Sequence, residues 1–195
     1  MTDYCLHCML PTGGADVCPH CGYQGGDTEL LHHLRPGSKL NGRYLVGRSL
    51  GQGGFGITYI GRDLLLDTRV AIKEYYPSGI ASRNVAFSPE ITISDQRQVD
   101  SIEEGKRKFL SEARALAQFA DDPGVVTVRD FFEANNTAYI VMEYLDGHDL
   151  RSILRLTRFS ADDIFERMRP VMDALEKIHQ VGIIHRDISP DNIML

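Results

Sequence analysis

The stretch that decides the fold is residues 44–62, YLVGRSLGQGGFGITYIGR, and residues 68–76, TRVAIKEYY, follow it closely. On both sides of the glycine-rich centre, apolar residues alternate with small or polar ones, which is typical of β-strands. A dinucleotide-binding fold would begin a helix directly after such glycines, whereas ITYIGR continues as a strand. The pattern therefore predicts a β-hairpin whose glycine-rich tip either folds over phosphates or has no ligand.

The second stretch predicts another strand, and it carries a lysine. Successive side chains of a strand point to opposite faces, so Ala71 and Lys73 share one face while Val70 and Ile72 share the other. A small residue beside an ammonium suits a planar base lying on Ala71, with the phosphates of the same nucleotide reaching Lys73. An isolated strand lysine is more often simply exposed. The two stretches together favour a nucleotide site.

A helix is predicted over residues 101–120, SIEEGKRKFLSEARALAQFA. Its apolar stripe consists of Phe109, Ala113, Leu116 and Phe119. Glu112 falls within that stripe, where an unpaired carboxylate is costly. We predict either an ion pair between Glu112 and Lys73, or a position at the edge of the stripe where the carboxylate reaches water. The helix by itself favours neither.

The cysteines predict a metal site at the N-terminus. All four lie in the first 21 residues, in the pairs CLHC and CPHC, as Cys5, Cys8, Cys18 and Cys21. Two CxxC pairs at this spacing can close a tetrahedral structural zinc site. Two disulfides, or free thiols in a disordered leader, are the alternatives, and His7 and His20 could compete as ligands. We predict a zinc ribbon over residues 1–25, because a reducing cytosol keeps thiols free and so short a segment needs such a staple.

The rest of the N-terminal region and the overall composition are less specific. Residues 26–42 are interpreted as a linker, in which His32 and His33 could form a metal pair but are more simply exposed. The chain has 195 residues and a formal net charge of -6, which disfavours nucleic acid and anionic membranes as partners. It contains no apolar run of about 18 residues and no secretory leader, so we expect a cytoplasmic protein without membrane contact from this segment.

The order of glycine hairpin, VAIK strand and glutamate helix, followed by AYIVMEYLDGHDL and HRDISPDN, resembles the protein kinase family. The closest resemblance is to the eukaryotic-like serine/threonine kinases of bacteria, and it covers residues 43–195. It implies an α+β fold: an N-lobe of one antiparallel sheet plus one helix, and an incomplete helical C-lobe, both behind the small zinc ribbon. It also implies ATP and Mg²⁺ as cofactors beside Zn²⁺, and a protein substrate.

The resemblance implies roles for individual residues. Lys73 would bind the α- and β-phosphates, and Glu112 would make the activating ion pair. Asp187 would orient the substrate hydroxyl, and Asn192 would hold magnesium. Met142 is similar to the gatekeeper before the hinge. The nucleotide-binding residues that the resemblance implies are Leu50, Gly51, Gly53, Gly56, Ala71, Lys73, Glu143, Leu145 and Met194.

The sequence departs from the family pattern in several places. Thr58 replaces the usual valine after the glycines, and Ser189 replaces the lysine that normally follows the catalytic aspartate by two residues. Residues 74–100 form a longer connection than expected, which would fold as a small hairpin or dock a partner. The chain also ends before the DFG motif, so we expect a truncated kinase that transfers little phosphate by itself.

The resemblance also makes residues 160–180 the central helix of the C-lobe. Ser160 is the expected N-cap, and Pro170 is expected to kink the helix or cost it a hydrogen bond. In the family the helices that cover its apolar face lie beyond the motifs seen here, so we expect a large apolar stripe to be exposed.

Three other functions remain open. A nucleotide-binding pseudokinase could act as a scaffold, and a zinc-dependent protein-interaction module could carry the kinase part as a relic. A small-molecule kinase is disfavoured, because such enzymes typically carry HGD where this chain has His185, Arg186 and Asp187.

Overall fold

The computed structural model describes residues 3–26, 32–93, 95–184 and 187–195. The chain forms two compact units. The first consists of residues 1–114 and 128–144, and the second of residues 115–127 and 145–195. Within the described ranges, no helix is long and apolar enough to cross a membrane.

The first unit is built on β-strands. In chain order these are β1 (Lys39–Leu40), β2 (Tyr44–Gln52), β3 (Gly56–Asp63), β4 (Thr68–Tyr75), β5 (Ala81–Ser82), β6 (Thr92–Ile93), β7 (Val128–Ala134) and β8 (Thr137–Glu143). Six of them form an antiparallel sheet in the order β1-β2-β3-β4-β8-β7. The predicted antiparallel sheet is therefore confirmed. Strands β5 and β6 pair separately, so residues 74–100 contain the small hairpin that was one of the two expectations.

The predicted glycine-tipped hairpin is confirmed and joins β2 to β3. Gly51 lies opposite Thr58, and Gln52 lies opposite Ile57. The tip is closed by the Gly53 N–H, which donates to the carbonyl of Gly56 over 2.9 Å. The chain leaves the tip as strand rather than helix, as the sequence indicates.

The two faces of the sheet carry different side chains. Residues opposite each other in antiparallel strands share a face, so Lys73 lies with Thr58 and Ile140, and Ala71 lies with Met142. The other face carries the main core, which includes Tyr44, Tyr59, Val70, Ile72, Tyr139 and Val141. The predicted division of the β4 side chains is confirmed.

Helix α1 (Val99–Leu116) packs near β4 and β7. The ring of Phe109 lies 5.6 Å from that of Tyr75, and the Arg114 guanidinium lies 5.3 Å from the centre of the Phe131 ring. Gly105 permits the close approach, because a Cβ at this position would collide with the Tyr75 hydroxyl. A large aromatic side chain at the end of β4 therefore sets where the helix can lie.

The cysteine-bearing N-terminal segment packs on the sheet of the same unit. Met9 is 0% exposed and packs with Leu45 and Ile60. Its carbonyl accepts a hydrogen bond from the Arg62 guanidinium over 2.9 Å. Gly47 makes room for this side chain, because a Cβ there would lie 2.5 Å from the Met9 Cε. The segment is therefore part of the lobe and shares its core.

The second unit contains helices α2 (Leu150–Leu156) and α3 (Ala161–Gln180). Ser160 caps α3 as predicted: its hydroxyl accepts from the Asp163 N–H over 3.2 Å, and the Asp163 carboxylate accepts from the Ser160 N–H over 3.1 Å. This reciprocal pair is a capping box, which satisfies two backbone donors at the helix start.

Pro170 lies inside α3, and the helix continues past it to Gln180. Proline has no N–H, so one backbone hydrogen bond of the helix is lost at this point. The apolar face is covered unevenly, since Ile178 is buried while Phe165 is 58% exposed. The exposed stripe is therefore smaller than expected, because the end of the face around Ala174 and Ile178 is buried.

We expect Met9→Ala to lower the free energy of unfolding of the first unit by about 2–5 kcal/mol, because deletion of a fully buried large side chain leaves a cavity. The measurement is urea denaturation followed by circular dichroism. Leu65→Ala in the same unit is the control, because Leu65 is 75% exposed and its loss should cost no more than about 0.5 kcal/mol. Equal losses for the two variants would contradict the docking of Met9 in the core.

Candidate functional site

The glycine-rich tip is open where a ligand would have to approach closely. A Cβ added at Gly51, Gly53 or Gly54 would meet no other atom within 4 Å. At Gly56, by contrast, a Cβ would lie 2.5 Å from the carbonyl oxygen of Glu74. Packing within the protein therefore requires glycine only at the last of these positions, and the space beside the other three is open.

The strand beside the tip presents the predicted pair of side chains. Lys73 is exposed, and its Nζ lies 5.9 Å from the centre of the Phe109 ring of α1. Ala71 is half-buried and lies opposite Met142. An ammonium and an apolar surface thus share one face, as a bound nucleotide would need.

The ion pair between Lys73 and Glu112, one of the two predicted alternatives, is not formed. Among the described residues no ion pair joins these two side chains, and Glu112 is exposed. The physical reason is the rotation of α1 about its axis. Its buried residues are Ile102, Lys106, Phe109, Leu110 and Ala113. Glu112 is displaced by about 100° from Ala113 around the helix, which puts its carboxylate at the edge of the stripe in water, the other alternative of the prediction.

A buried ionic network lies directly behind Lys73. Glu74 points to the core face, where its carboxylate pairs with the guanidinium of Arg83, and both side chains are 0% exposed. The carboxylate also accepts hydrogen bonds from the hydroxyls of Tyr59 over 3.0 Å and Tyr139 over 2.8 Å. Strands β3, β4 and β8 and the residue directly after β5 are therefore joined at one carboxylate.

The pKa values of the two tyrosines and the arginine in this network are all raised. Burial raises the pKa of Tyr59 and of Tyr139, and the negative charge of Glu74 raises both further. Both hydroxyls therefore stay protonated and donate to Glu74. Burial lowers the pKa of Arg83, but its hydrogen bond with Glu74 and that carboxylate's charge outweigh burial and raise it.

Sequence reasoning missed Glu74 and Arg83, although a signal was present. The alternation that places Lys73 on one face places Glu74 on the other, with Val70 and Ile72. A carboxylate on a core face needs a cation. Arg83 is the next arginine along the chain.

The second unit brings the two predicted catalytic-loop residues together. The side-chain amide of Asn192 donates to the Asp187 carboxylate over 2.9 Å and to its backbone carbonyl over 3.0 Å. Both residues are exposed, and Ser189 lies half-buried between them. His185 and Arg186, which complete the motif, lie outside the described residues. The loop therefore presents a carboxylate and an amide oxygen side by side.

Contacts with the N-cap and first turn of α2 fix this loop. Asp191 pairs with Arg151, whose Nη2 donates over 2.6 Å. Met194 forms an isolated antiparallel bridge with Asp149, and the Leu150 N–H donates to the Ile193 carbonyl over 2.8 Å. Met194, proposed from the family to lie beneath a base, is thus held within the second unit.

The remaining predicted nucleotide residues fall in different places. Leu50 is 37% exposed near the end of β2. Glu143 is the last residue of β8 and is half-buried in the first unit. Leu145 belongs to the second unit and is 40% exposed. Leu50 and Glu143 therefore belong to the first unit, and Leu145 belongs to the second.

The four cysteines form a second candidate site. Cys5, Cys8, Cys18 and Cys21 bring their sulfur atoms within 4.8 Å of one another. The sulfurs of Cys5 and Cys21 are 3.7 Å apart, as are those of Cys8 and Cys18. Ligands about 2.3 Å from a tetrahedral zinc ion would be about 3.8 Å apart, so the arrangement fits.

The thiols differ in how readily they ionise. Burial raises the pKa of Cys8 to about 12. Burial also opposes ionisation of Cys18, but hydrogen bonds from the backbone N–H groups of Cys21 and His20 outweigh it and lower the pKa to about 6. A metal ligand must be a thiolate. Burial also raises the pKa of Cys21, so the lowered pKa within the second knuckle belongs to Cys18.

The two cysteine knuckles have the same backbone turn but different residues at its end. The Met9 N–H donates to the Cys5 carbonyl over 2.8 Å, and the Gly22 N–H donates to the Cys18 carbonyl over 2.9 Å. Both residues have positive φ, 57° for Met9 and 73° for Gly22. Glycine adopts this conformation freely and methionine does not. Burial of the Met9 side chain against the sheet offsets that cost.

A curled antiparallel sheet with a glycine hairpin, a strand lysine beside it and an aspartate–asparagine loop define the class of kinase-like folds. Comparisons with known proteins agree. The family model for the protein kinase domain matches residues 44–195. The chain is 31% identical to the serine/threonine-protein kinase pkn2 of Myxococcus xanthus, over 80% of this chain and 16% of the relative. It is 31% identical to the serine/threonine-protein kinase PrkC of Bacillus subtilis, over 82% of this chain and 22% of the relative.

A solved structure described as the PpkA-294 apo form has the same fold, with a TM-score of 0.76 and 34% identity over 84% of this chain and 57% of that chain. Because the family model covers most of its length, the chain belongs to the protein kinase family. It spans about a fifth of the length of the two curated relatives named above.

We expect Arg83→Ala to lower the free energy of unfolding by about 3–5 kcal/mol, because it leaves the Glu74 carboxylate buried without a counter-ion. Arg97→Ala is the matched control. Arg97 is 92% exposed in its pair with Asp95, so its loss should cost about 0–1 kcal/mol.

A second variant separates lost charge pairing from lost packing. Adding Glu74→Gln to Arg83→Ala should recover part of the loss, because a neutral amide needs no counter-ion. Chemical denaturation of the unaltered chain, Glu74→Gln, Arg83→Ala and the double variant measures this. A double variant as unstable as the sum of its parts would contradict the role given to the ion pair.

Proposed function

We propose that this chain binds ATP and belongs to an enzyme that transfers the γ-phosphate to serine or threonine hydroxyls of a protein substrate. The observation that carries the proposal is the contact between Asp187 and Asn192, since this pair performs the chemistry in the family's catalytic loop. The supporting observations in the first unit are the open glycine tip and the exposed Lys73 on the same sheet.

The roles of the residues follow from their chemistry. Asp187 would orient the attacking hydroxyl and accept its proton, and the glycine tip and Lys73 would hold the phosphates of the nucleotide. Magnesium, when bound, neutralises the charge on the phosphates, and Asn192 is the candidate ligand for it in this chain. The Asn192 side chain offers one amide oxygen for this, while its amide nitrogen holds Asp187.

Two features favour a second candidate, a nucleotide-binding scaffold without transfer. Ser189 stands where a lysine would contact the transferring phosphate, and a hydroxyl cannot supply that charge. Lys73 and Glu112 are also not paired among the described residues, and the family requires this pair for transfer. In an active enzyme, α1 would have to rotate or shift to bring Glu112 to Lys73.

Nucleotide binding is the first test. We expect Lys73→Met to weaken binding of Mg·ATP by roughly tenfold or more, since a hydrogen bond to a charged group contributes about 1.5–3 kcal/mol. Isothermal titration calorimetry on the whole chain measures it. Lys39→Met is the matched control, because Lys39 is an exposed strand lysine of the same sheet. Equal Mg·ATP affinities of the two variants would contradict the role of Lys73 in phosphate binding.

Phosphate transfer separates the two candidates. Asp187→Asn should bind ATP with an affinity within about threefold of that of the unaltered protein. Any transfer of labelled γ-phosphate to serine and threonine peptides should fall by about a hundredfold or more. Binding without transfer in the unaltered protein would favour the scaffold. Failure to bind ATP at all would favour a protein-interaction module instead.

For the cysteine cluster we propose one zinc ion held by all four thiolates. The sulfur spacing supports a closed tetrahedral site, which is the structural type. Its role would be to hold the turn that presents Met9 to Leu45 and Ile60, so that metal binding stabilises the kinase sheet. The four thiols also suit a reducing compartment such as the cytosol.

We expect about one zinc per chain by elemental analysis, and loss of the metal together with a lower melting temperature in Cys18→Ser. Met9→Ala is the control, because it should lower the melting temperature while it retains the metal. A Cys18→Ser protein with unchanged metal content would contradict the four-cysteine site.

A further inference from the structure

The residues just before the sheet make contacts that neither the metal site nor the phosphate chemistry uses. Residues 32–34, here named the brace, lie on the core face of the first unit. Leu34 is 2% exposed, and its N–H donates to the Tyr59 hydroxyl over 3.1 Å. His33 is buried edge-on against the Tyr59 ring, and His32 stacks on Tyr76. The sequence favoured exposed histidines at these positions, and for His33 that interpretation is wrong.

Both histidines of the brace reach the glycine-rich tip. The Nε2 atoms of His32 and His33 each lie 3.0 Å from the side-chain carbonyl oxygen of Gln52. An amide oxygen only accepts hydrogen bonds, so both Nε2 atoms carry a hydrogen and donate. Gln52 stands between Gly51 and Gly53. Hydrogen bonds to the Gln52 side chain therefore hold the first half of the tip.

The second half of the tip is held through its backbone. The Ser78 N–H donates to the Gly54 carbonyl over 2.9 Å, and the Tyr76 N–H donates to the Phe55 carbonyl over 3.0 Å. These donors follow directly after β4. Both halves of the tip are thus attached to neighbouring segments.

The brace is itself tied to the strand of Lys73. The guanidinium of Arg83 donates to the His32 carbonyl over 3.1 Å while it pairs with Glu74. Glu74 is the neighbour of Lys73 on β4. A continuous set of contacts therefore runs from the lysine strand through Arg83 and His32 to Gln52.

We infer that His32 and His33 are positioning residues that preorganise the glycine-rich tip for a nucleotide. The inference rests on the proposed function, because the nucleotide is the ligand that the tip would cover. Ordering a loop on binding costs conformational entropy, and a loop that is already held lowers that cost. The histidines act through Gln52, and neither they nor Arg83 need touch the ligand.

Hydrogen exchange on the whole chain tests the inference without any nucleotide. Gln52→Leu removes the acceptor at similar size, and we expect amide exchange at residues 53–56 to rise by roughly tenfold. Gln52→Glu keeps an acceptor for both histidines and should retain the protection. Gln24→Leu is the matched control, an exposed glutamine of the same unit, and should change nothing at the tip.

The contact is also tested from its other side. The double variant His32→Ala with His33→Ala should raise exchange at residues 53–56 as Gln52→Leu does, while residues 137–143 of β8 keep their protection and report an intact sheet. Unchanged exchange at the tip in Gln52→Leu would overturn the inference. Faster exchange in Gln52→Leu but not in the double histidine variant would overturn the role of the brace.

Affinity then links the brace to the nucleotide. We expect Gln52→Leu and the double histidine variant to weaken Mg·ATP binding by about three- to tenfold relative to Gln24→Leu. If the unaltered chain binds no ATP, the proposed function fails while the exchange data still decide whether the brace holds the tip. If ATP binds equally well to all four proteins, the preorganising role is wrong.

Discussion

A single buried carboxylate organises the first unit. Glu74 has no access to water, so its charge must be matched by protein groups. Arg83 supplies the opposite charge, and the hydroxyls of Tyr59 and Tyr139 supply hydrogen bonds. These partners come from β3, β8 and the residue directly after β5. Because each partner is needed to keep the charge buried, the network fixes the relative positions of all of these elements.

The position of this carboxylate matters for the site because Lys73 is its neighbour. In a strand, the side chain at one residue cannot be fixed on one face without fixing the next residue on the other. The core therefore dictates that Lys73 faces away from it, toward Phe109 of α1. The Leu34 N–H donates a hydrogen bond to the Tyr59 hydroxyl, so the brace packs against the same core. Packing on the core face of the sheet therefore determines which β4 side chains lie on the face of Lys73.

The sequence predicts features that depend on neighbours along the chain, and it fails where distant packing decides. The glycine hairpin, the faces of β4 and the Ser160 cap follow from periods and caps of a few residues, and all are confirmed. The sequence could not decide the ion pair of Glu112, since the buried stripe of α1 is set by contacts with distant side chains, such as that of Phe109 with Tyr75.

In the N-terminal residues, too, packing against distant residues decides what the local sequence pattern does not show. The glycine, proline and polar composition of residues 26–42 is typical of a linker, yet Leu34 is buried in the main core. Met9, in the predicted zinc ribbon, is buried on the opposite face of the same sheet. Met9 packs beneath β2 near Leu45, whereas Leu34 lies with Tyr44 in the main core. A strand held on both faces cannot tilt without opening one of the two cores. The segment before the kinase domain therefore restrains the position of β2. Because the glycine-rich tip follows β2 directly, the position of the tip is restrained as well.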